Sequence, residues 1–132
     1  EYVFTVENVK EGAKFPDPVL RSAYPVDIHR PKGKGYSREE DGIPLVGPPA
    51  GDWYEVPYRS LIPLEIDGLL VAGRCISATH EGHSAVRIMP NCAALGQAAG
   101  VAAALCVRDG IVPRGLDYSV LRKALATQGA II

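Results

Sequence analysis

The chain has 132 residues, the size of one modest domain. Its 14 basic and 15 acidic residues leave a formal net charge of −1, which excludes the strongly basic surface typical of proteins that bind nucleic acid or acidic membranes. Three cysteines without a CxxC pair indicate reduced thiols in an apolar core, and therefore a cytoplasmic protein. The chain begins EYVFTV, and we recognise no signal or transit segment in it.

The first part of the sequence predicts short elements separated by turns. Residues 1–6 indicate a strand, with Tyr2, Phe4 and Val6 on one side and Val3 and Thr5 on the other, and residues 8–12 fit a turn or a short helix. Residues 19–23 fit one helical turn. Residues 24–29 indicate a second strand, with a proline near its start, where the missing N–H is tolerated.

A long surface loop and a further strand follow. Residues 30–51 are polar and then rich in proline and glycine, which predicts a loop. Its run Lys32–Gly35 lacks the spacing of a phosphate-binding P-loop. Residues 52–62 are aromatic and β-branched and predict a strand, but Pro57 places that strand at an edge or a bulge.

The most informative stretch combines a short apolar run, a polar loop and a long apolar run. Residues 69–72 are too few for a helix and predict a buried strand. From residue 91 to residue 107 the pattern is helical and apolar on all sides, which predicts a buried helix. Between these two elements we expect an irregular loop that carries the polar chemistry: His80, Glu81, His83 and Arg87.

The long helix has an unusual face of small side chains, four residues apart: Cys92, Gly96, Gly100 and Ala104. A glycine within a helix costs ~1 kcal/mol relative to alanine, so two of them indicate close packing or a ligand. The helix approaches membrane-spanning length at ~25 Å, but its glutamine and glycines favour a buried core helix. Gly110 is predicted to end it, and Asp117 to cap a final helix over residues 118–128.

The residue types of the polar loop occur in several kinds of site. Its two histidines lack the HExxH spacing of a zinc site, and no GxSxG motif supports a triad of Ser77, His80 and Glu81. Arg74 and Arg87 fit an anion better, because a guanidinium binds phosphate with two parallel hydrogen bonds. The start of the following helix adds N–H groups and the positive end of a dipole.

Residues 54–105, YEVPYRSLIPLEIDGLLVAGRCISATHEGHSAVRIMPNCAALGQAAGVAAAL, resemble the C-terminal part of a family of FAD-dependent oxidoreductases. The flavin domain of that family is of the glutathione-reductase or fumarate-reductase type. The upstream segment SAYPVDIHRPKG and the tail GIVPRGLDYSVLRKALATQGAII are similar to it as well. The resemblance covers nearly the whole chain, and its block LLVAGR…MPNCAALGQAAG is specific.

The resemblance implies an α/β fold, which becomes α+β if the chain is taken alone. It would consist of the last strand and helices of a Rossmann-like FAD-binding domain together with strands from the substrate domain. Residues 1–51 would end the substrate domain and residues 52–132 would complete the FAD domain. The implied FAD contacts are Gly73, Arg74, Met89, Pro90, Asn91 and Cys92, and the substrate-side candidates are His29, His80, His83 and Arg87.

The chain contains no GxGxxG motif for the ADP half of FAD, so we expect it to bind FAD weakly when isolated. The expected partners are a small-molecule substrate and the rest of a parent chain, with neither nucleic acid nor a membrane. One alternative is a non-catalytic binding domain that keeps the scaffold of a flavin domain. Another is a small hydrolase that uses His80 and Glu81.

Overall fold

The computed structural model describes residues 1–28 and 46–132, and over these residues the fold is α+β. The α-helices and strands of this part, numbered separately in chain order, are α1 Val6–Lys10, β1 Pro18–Ser22, β2 Tyr54–Pro57, α2 His80–Val86, α3 Met89–Asp109 and α4 Tyr118–Thr127. Within the same described residues, 3₁₀ turns lie at Tyr58–Leu61, Gly73–Cys75 and Pro113–Gly115.

The sheet of the described part is one antiparallel pair, in which β1 runs against β2. Leu20 is opposite Val56 and Ser22 is opposite Tyr54. The helical turn predicted over residues 19–23 is therefore wrong. The first two of these residues have buried apolar side chains. Leu20 pairs with β2, and Val19 lies at an irregularity of the register between Pro18 and Leu20.

The strand predicted over residues 24–29 is also wrong as far as the structure describes it. Residues 23–28 have no regular structure, although Val26 is buried and its N–H donates to the carbonyl of Val46 at 2.7 Å. His29 and residues 30–45 of the predicted loop lie outside the described residues.

The N-terminal segment packs against α2 rather than forming the strand predicted over residues 1–6. Phe4 makes a single parallel bridge with Ala78, in which its N–H donates to Ser77 and its carbonyl accepts from Thr79, both at 2.9 Å. At Val6 the chain already enters α1, which overlaps the short helix predicted two residues later.

Residues 69–72 form no strand within the part of the chain that is described. The Val71 N–H donates to the carbonyl of Leu61 at 2.9 Å, but β1 and β2 pair with each other elsewhere. Leu69 is 43% exposed, so the predicted burial is wrong too. A strand requires a neighbouring strand, and none of the described segments provides one here.

Helix α3 is the main support of the core, and the prediction over residues 91–107 is confirmed with two more residues at each end. Gly110 ends it in the left-handed conformation, φ 67°, as predicted. The prediction that α3 is buried on all sides is wrong, because only one face packs into the core and Val107 is 84% exposed. The helix is long and apolar enough to span a membrane, and core helices of soluble proteins can have the same length and hydropathy.

The last helix follows its prediction closely. Asp117 accepts a hydrogen bond from the Ser119 N–H at 2.8 Å, and Leu121 and Leu125 are buried on the face that packs toward α3.

The core also includes residues from before and after residue 51, since β1 and β2 pair across the domain boundary predicted there. That boundary stays a prediction.

Candidate functional site

The residues predicted to lie on an irregular loop lie instead on helix α2, so that part of the prediction is wrong. Thr79 caps the helix, with its hydroxyl oxygen accepting from the Gly82 N–H at 3.2 Å. His80 and His83 are three residues apart and therefore share one side of the helix. Arg87 follows at the helix end.

These side chains surround a small open pocket between α2 and the segment that follows β1. Its volume is about 100 Å³, and its walls are Asp27, Ile28, His80, His83, Ser84 and Arg87. The structure thus brings together the three substrate-side candidates that it describes. The fourth, His29, lies outside the described residues.

Arg87 is held toward this pocket from one side. One terminal nitrogen of its guanidinium donates to the backbone carbonyl of Asp27 at 2.9 Å. The Asp27 carboxylate in turn accepts from the Tyr24 hydroxyl at 3.1 Å. Burial, and then this bond to a carboxylate, raise the pKa of Tyr24, so the phenol stays a donor. Asp27 and Tyr24 are 60 or more residues before Arg87, and their sequence context gave no indication of this contact.

His83 has one ring nitrogen fixed by the backbone. Its Nε2 lies 3.0 Å from the carbonyl oxygen of Arg74. A carbonyl oxygen can only accept, so Nε2 carries the hydrogen and the neutral ring has its lone pair on Nδ1. Arg74 also donates from Nε to the backbone carbonyl of Arg87 at 3.2 Å, which joins the Gly73–Cys75 turn to the end of α2.

The residues predicted to contact FAD lie partly together at the start of α3. Gly73 has φ 60°, and a Cβ added there would lie 3.6 Å from the Cβ of Cys92. Cys92 donates from its sulfur to the carbonyl of Arg87 at 3.3 Å. Met89 is 80% exposed beside Pro90, and the N–H of Met89 has no acceptor among the described residues.

Asn91 differs from its predicted neighbours, because its side chain is part of the core. It is 5% exposed, and its amide nitrogen donates to the Ser22 hydroxyl at 3.1 Å and to the Ala85 carbonyl at 3.2 Å. At Asn91, only the backbone N–H at the helix start remains for a ligand. That N–H has no acceptor in the described part of the chain.

The alternative sites receive no geometric support. Residues 1–28 and 46–132 contain no group of three or more His, Cys, Asp or Glu side chains that could hold a metal ion. No side-chain hydrogen bond within these ranges links Ser77, His80 and Glu81 into a triad. Of the three free cysteines, Cys106 is a buried core thiol as predicted, whereas Cys75 is exposed.

A family model described as FAD dependent oxidoreductase matches residues 1–125. The chain belongs to this family. A comparison with curated proteins gives no match, and a comparison with solved structures gives none either. The family implies FAD as the cofactor of the protein to which this flavoprotein sequence belongs.

The chemistry of the surface around Gly73 fits one part of that cofactor. Arg74 is exposed, and its terminal guanidinium nitrogens have no partner among the described residues. Together with the N–H groups of Met89 and Asn91, this surface presents hydrogen-bond donors and the positive end of the α3 dipole. Such a donor set suits an anionic group such as the FAD diphosphate.

Proposed function

We propose that this chain is the C-terminal part of a flavoprotein oxidoreductase that transfers a hydride between a small organic substrate and FAD. The observation that carries the proposal is the contact between the Gly73–Cys75 turn and Cys92 at the start of α3, within a chain of this family. We further propose that residues 52–132 complete a Rossmann-like FAD-binding domain, and that residues 1–51 end the substrate domain.

Each cofactor-side residue has a separate part in this proposal. FAD supplies the redox chemistry when bound, and the protein supplies position and electrostatics. Arg74 binds a phosphate oxygen through its terminal nitrogens. Gly73 has no side chain to obstruct the approach of a ligand. The N–H groups of Met89 and Asn91 donate to the electron-rich edge of the isoalloxazine ring.

On the substrate side, the pocket on α2 supplies the chemistry. His80 and His83 are the proposed groups that hold or deliver a proton, and Arg87 is the proposed clamp for a carboxylate. His29 is proposed with them from the sequence. The fixed Nε2–H of His83 leaves Nδ1 as the atom that can accept a proton.

The proposed partner, apart from substrate, is the rest of a parent chain. Two apolar features of this structure are exposed among the described residues: Leu69 and the outer face of α3, which carries Gly96 and Gly100. A strand and a helix from the FAD-binding part of the proposed parent chain would cover both. We propose a cytoplasmic location from the free thiols, and no nucleic acid or membrane partner.

The experiment is to express the full-length parent and record its absorbance spectrum. A flavin band is expected, and the isolated 132-residue chain is expected to be colourless. A full-length protein that contains no flavin would contradict the proposal and favour the non-catalytic binding domain, as would a reading frame without GxGxxG.

The role of Arg74 is tested by Arg74→Ala in the same protein. A charged hydrogen bond contributes about 1.5–3 kcal/mol, so FAD affinity should fall by about 10- to 150-fold. The matched control is Arg122→Ala, which removes an exposed arginine on α4 and should leave FAD affinity unchanged. An unaltered affinity for Arg74→Ala would remove Arg74 from the site, without affecting the family assignment.

A further inference from the structure

We infer that the pocket between α2 and Asp27–Ile28 binds a small monocarboxylate, with Arg87 as its anchor. The pocket volume, about 100 Å³, holds only a few water molecules. A ligand of about three to six heavy atoms, such as acetate or lactate, matches this size, whereas drug-sized ligands occupy larger pockets. The inference rests on the proposed function where it takes this carboxylate to be the substrate.

Arg87 has the geometry of a prepared anchor. Its guanidinium is fixed through one nitrogen on the Asp27 carbonyl, and its other nitrogens contact no acceptor among the described residues. The side chain is only partly exposed, so its charge is less screened than at an open surface. A guanidinium that is already oriented loses little side-chain entropy when it binds both oxygens of a carboxylate.

The neighbouring donors identify Arg87 as the anchor by elimination. The Ser84 hydroxyl donates to the Glu81 carbonyl at 2.7 Å, and the Nε2–H of His83 is directed to the Arg74 carbonyl. Neither hydrogen is therefore available to a ligand. His80, exposed at the rim, is the second polar group that a bound molecule meets.

The remaining walls favour a carboxylate that carries an apolar group. Asp27 contributes a carboxylate that accepts from the Tyr24 hydroxyl. Ile28 contributes an apolar surface, which suits the methyl group of acetate or lactate. Inorganic phosphate has no apolar group to make this contact, so it should bind more weakly.

The test is a titration of the ¹⁵N-labelled protein, followed by the backbone amide resonances of Ile28, Ser84 and Arg87. Acetate should shift these resonances and saturate. Acetamide, which has the same shape without the charge, should bind at least about tenfold more weakly, since hydrogen bonds to charged groups are the stronger ones. Equal binding of acetate and acetamide, tighter binding of phosphate, or no shift with acetate would overturn the inference.

Two substitutions make the test specific. Arg87→Gln should weaken acetate binding at least about tenfold, while Lys123→Gln, which removes an exposed charge on α4, should leave it unchanged. Arg87→Lys keeps the charge but cannot donate two parallel hydrogen bonds to a carboxylate, so it should give an intermediate affinity. The same variant shows whether the fold tolerates a substitution at this position. Wild-type affinity in Arg87→Gln would overturn the inference.

The flavin spectrum of the full-length protein separates this inference from the proposed function. If acetate does not bind to a protein that contains flavin, the carboxylate pocket is refuted and the proposed function stands. If acetate binds to a full-length protein without flavin, the pocket stands and the proposed function is refuted.

Discussion

Replacing Gly82 with alanine tests how closely α2 approaches the N-terminal segment. A Cβ added to Gly82 would lie 2.6 Å from the carbonyl oxygen of Phe4 and 3.0 Å from two backbone atoms of Thr5. These are main-chain atoms, so the contact cannot be relieved by rotating a side chain. The same Phe4 oxygen accepts from the Thr79 N–H at 2.9 Å, and any shift of α2 strains this bond.

The expected magnitude follows from three terms. Overpacking of this kind costs about 1–3 kcal/mol, and a weakened backbone hydrogen bond about 0.5–1.5 kcal/mol. Alanine returns about 1 kcal/mol of helix propensity over glycine. We therefore expect Gly82→Ala to lower the free energy of unfolding by about 0.5–3.5 kcal/mol.

Urea unfolding of the isolated chain, followed by circular dichroism, measures this change. The matched control is Gly96→Ala on α3, where an added Cβ would meet nothing within 4 Å. The control should raise the unfolding free energy by up to about 1 kcal/mol through helix propensity. A Gly82→Ala protein as stable as wild type, or more stable, would refute the close approach of α2 to Phe4.

Three further predictions follow from single residues. Ser60 is fully buried and its hydroxyl has no partner among the described residues. Ser60→Ala should therefore leave the free energy of unfolding, measured in urea, unchanged or raise it by up to about 1 kcal/mol. A clear loss of stability would show that the hydroxyl has a partner. Burial raises the pKa of Tyr54 from 10.0 to about 12, so its contribution to stability is complete below pH 10 and is lost as the pH rises through about 12. The free energy of unfolding of the wild type should fall between pH 10 and pH 12, and it should fall less steeply in Tyr54→Phe. Equal slopes in the two proteins would contradict the raised pKa of Tyr54. Nitrogen NMR of the neutral His83 ring should show the hydrogen on Nε2, and a hydrogen on Nδ1 would contradict its bond to the Arg74 carbonyl.

The features predicted correctly from sequence are those specified by neighbouring residues. Helix α3 follows from a continuous apolar run, and Gly110 ends it because glycine adopts a positive φ at little cost. Helix α4 follows from the Asp117 cap and the spacing of Leu121 and Leu125. These signals lie within the elements they define, so no tertiary contact was needed to recognise them.

The features missed are those that depend on distant residues. Helix α2 has only seven residues and contains Gly82, so its own propensity is weak, and the contact with Phe4 stabilises it. Residues 69–72 have the composition of a strand but no partner strand in the described part of the chain. The contact of Arg87 with Asp27 spans 60 residues, and no local pattern encodes it.

Asn91 is a predicted cofactor contact whose side-chain bonds could not be read from the sequence motif. The resemblance implies that Asn91 contacts the flavin, and the structure shows the residue in the first turn of α3. Its side chain, however, fills a buried polar site between Ser22 and Ala85. An aspartate there would set a carboxylate oxygen against the Ala85 carbonyl and would lack the hydrogens that the Asn91 amide donates.

The outer face of α3, which carries Gly96 and Gly100, connects the fold with the proposed function. A Cβ added at Gly96 or at Gly100 would meet nothing within 4 Å in this structure. Each glycine nevertheless costs about 1 kcal/mol of helix stability relative to alanine. Under the proposed function, a segment of the parent chain packs on this face closely enough to require glycine. The effect of Gly96→Ala on stability should then differ in sign between the two proteins: it should stabilise the isolated chain and destabilise the full-length flavoprotein. Thermal unfolding of both proteins, each with and without Gly96→Ala, measures this. Equal stabilisation in the two contexts would show that nothing packs closely on this face of α3.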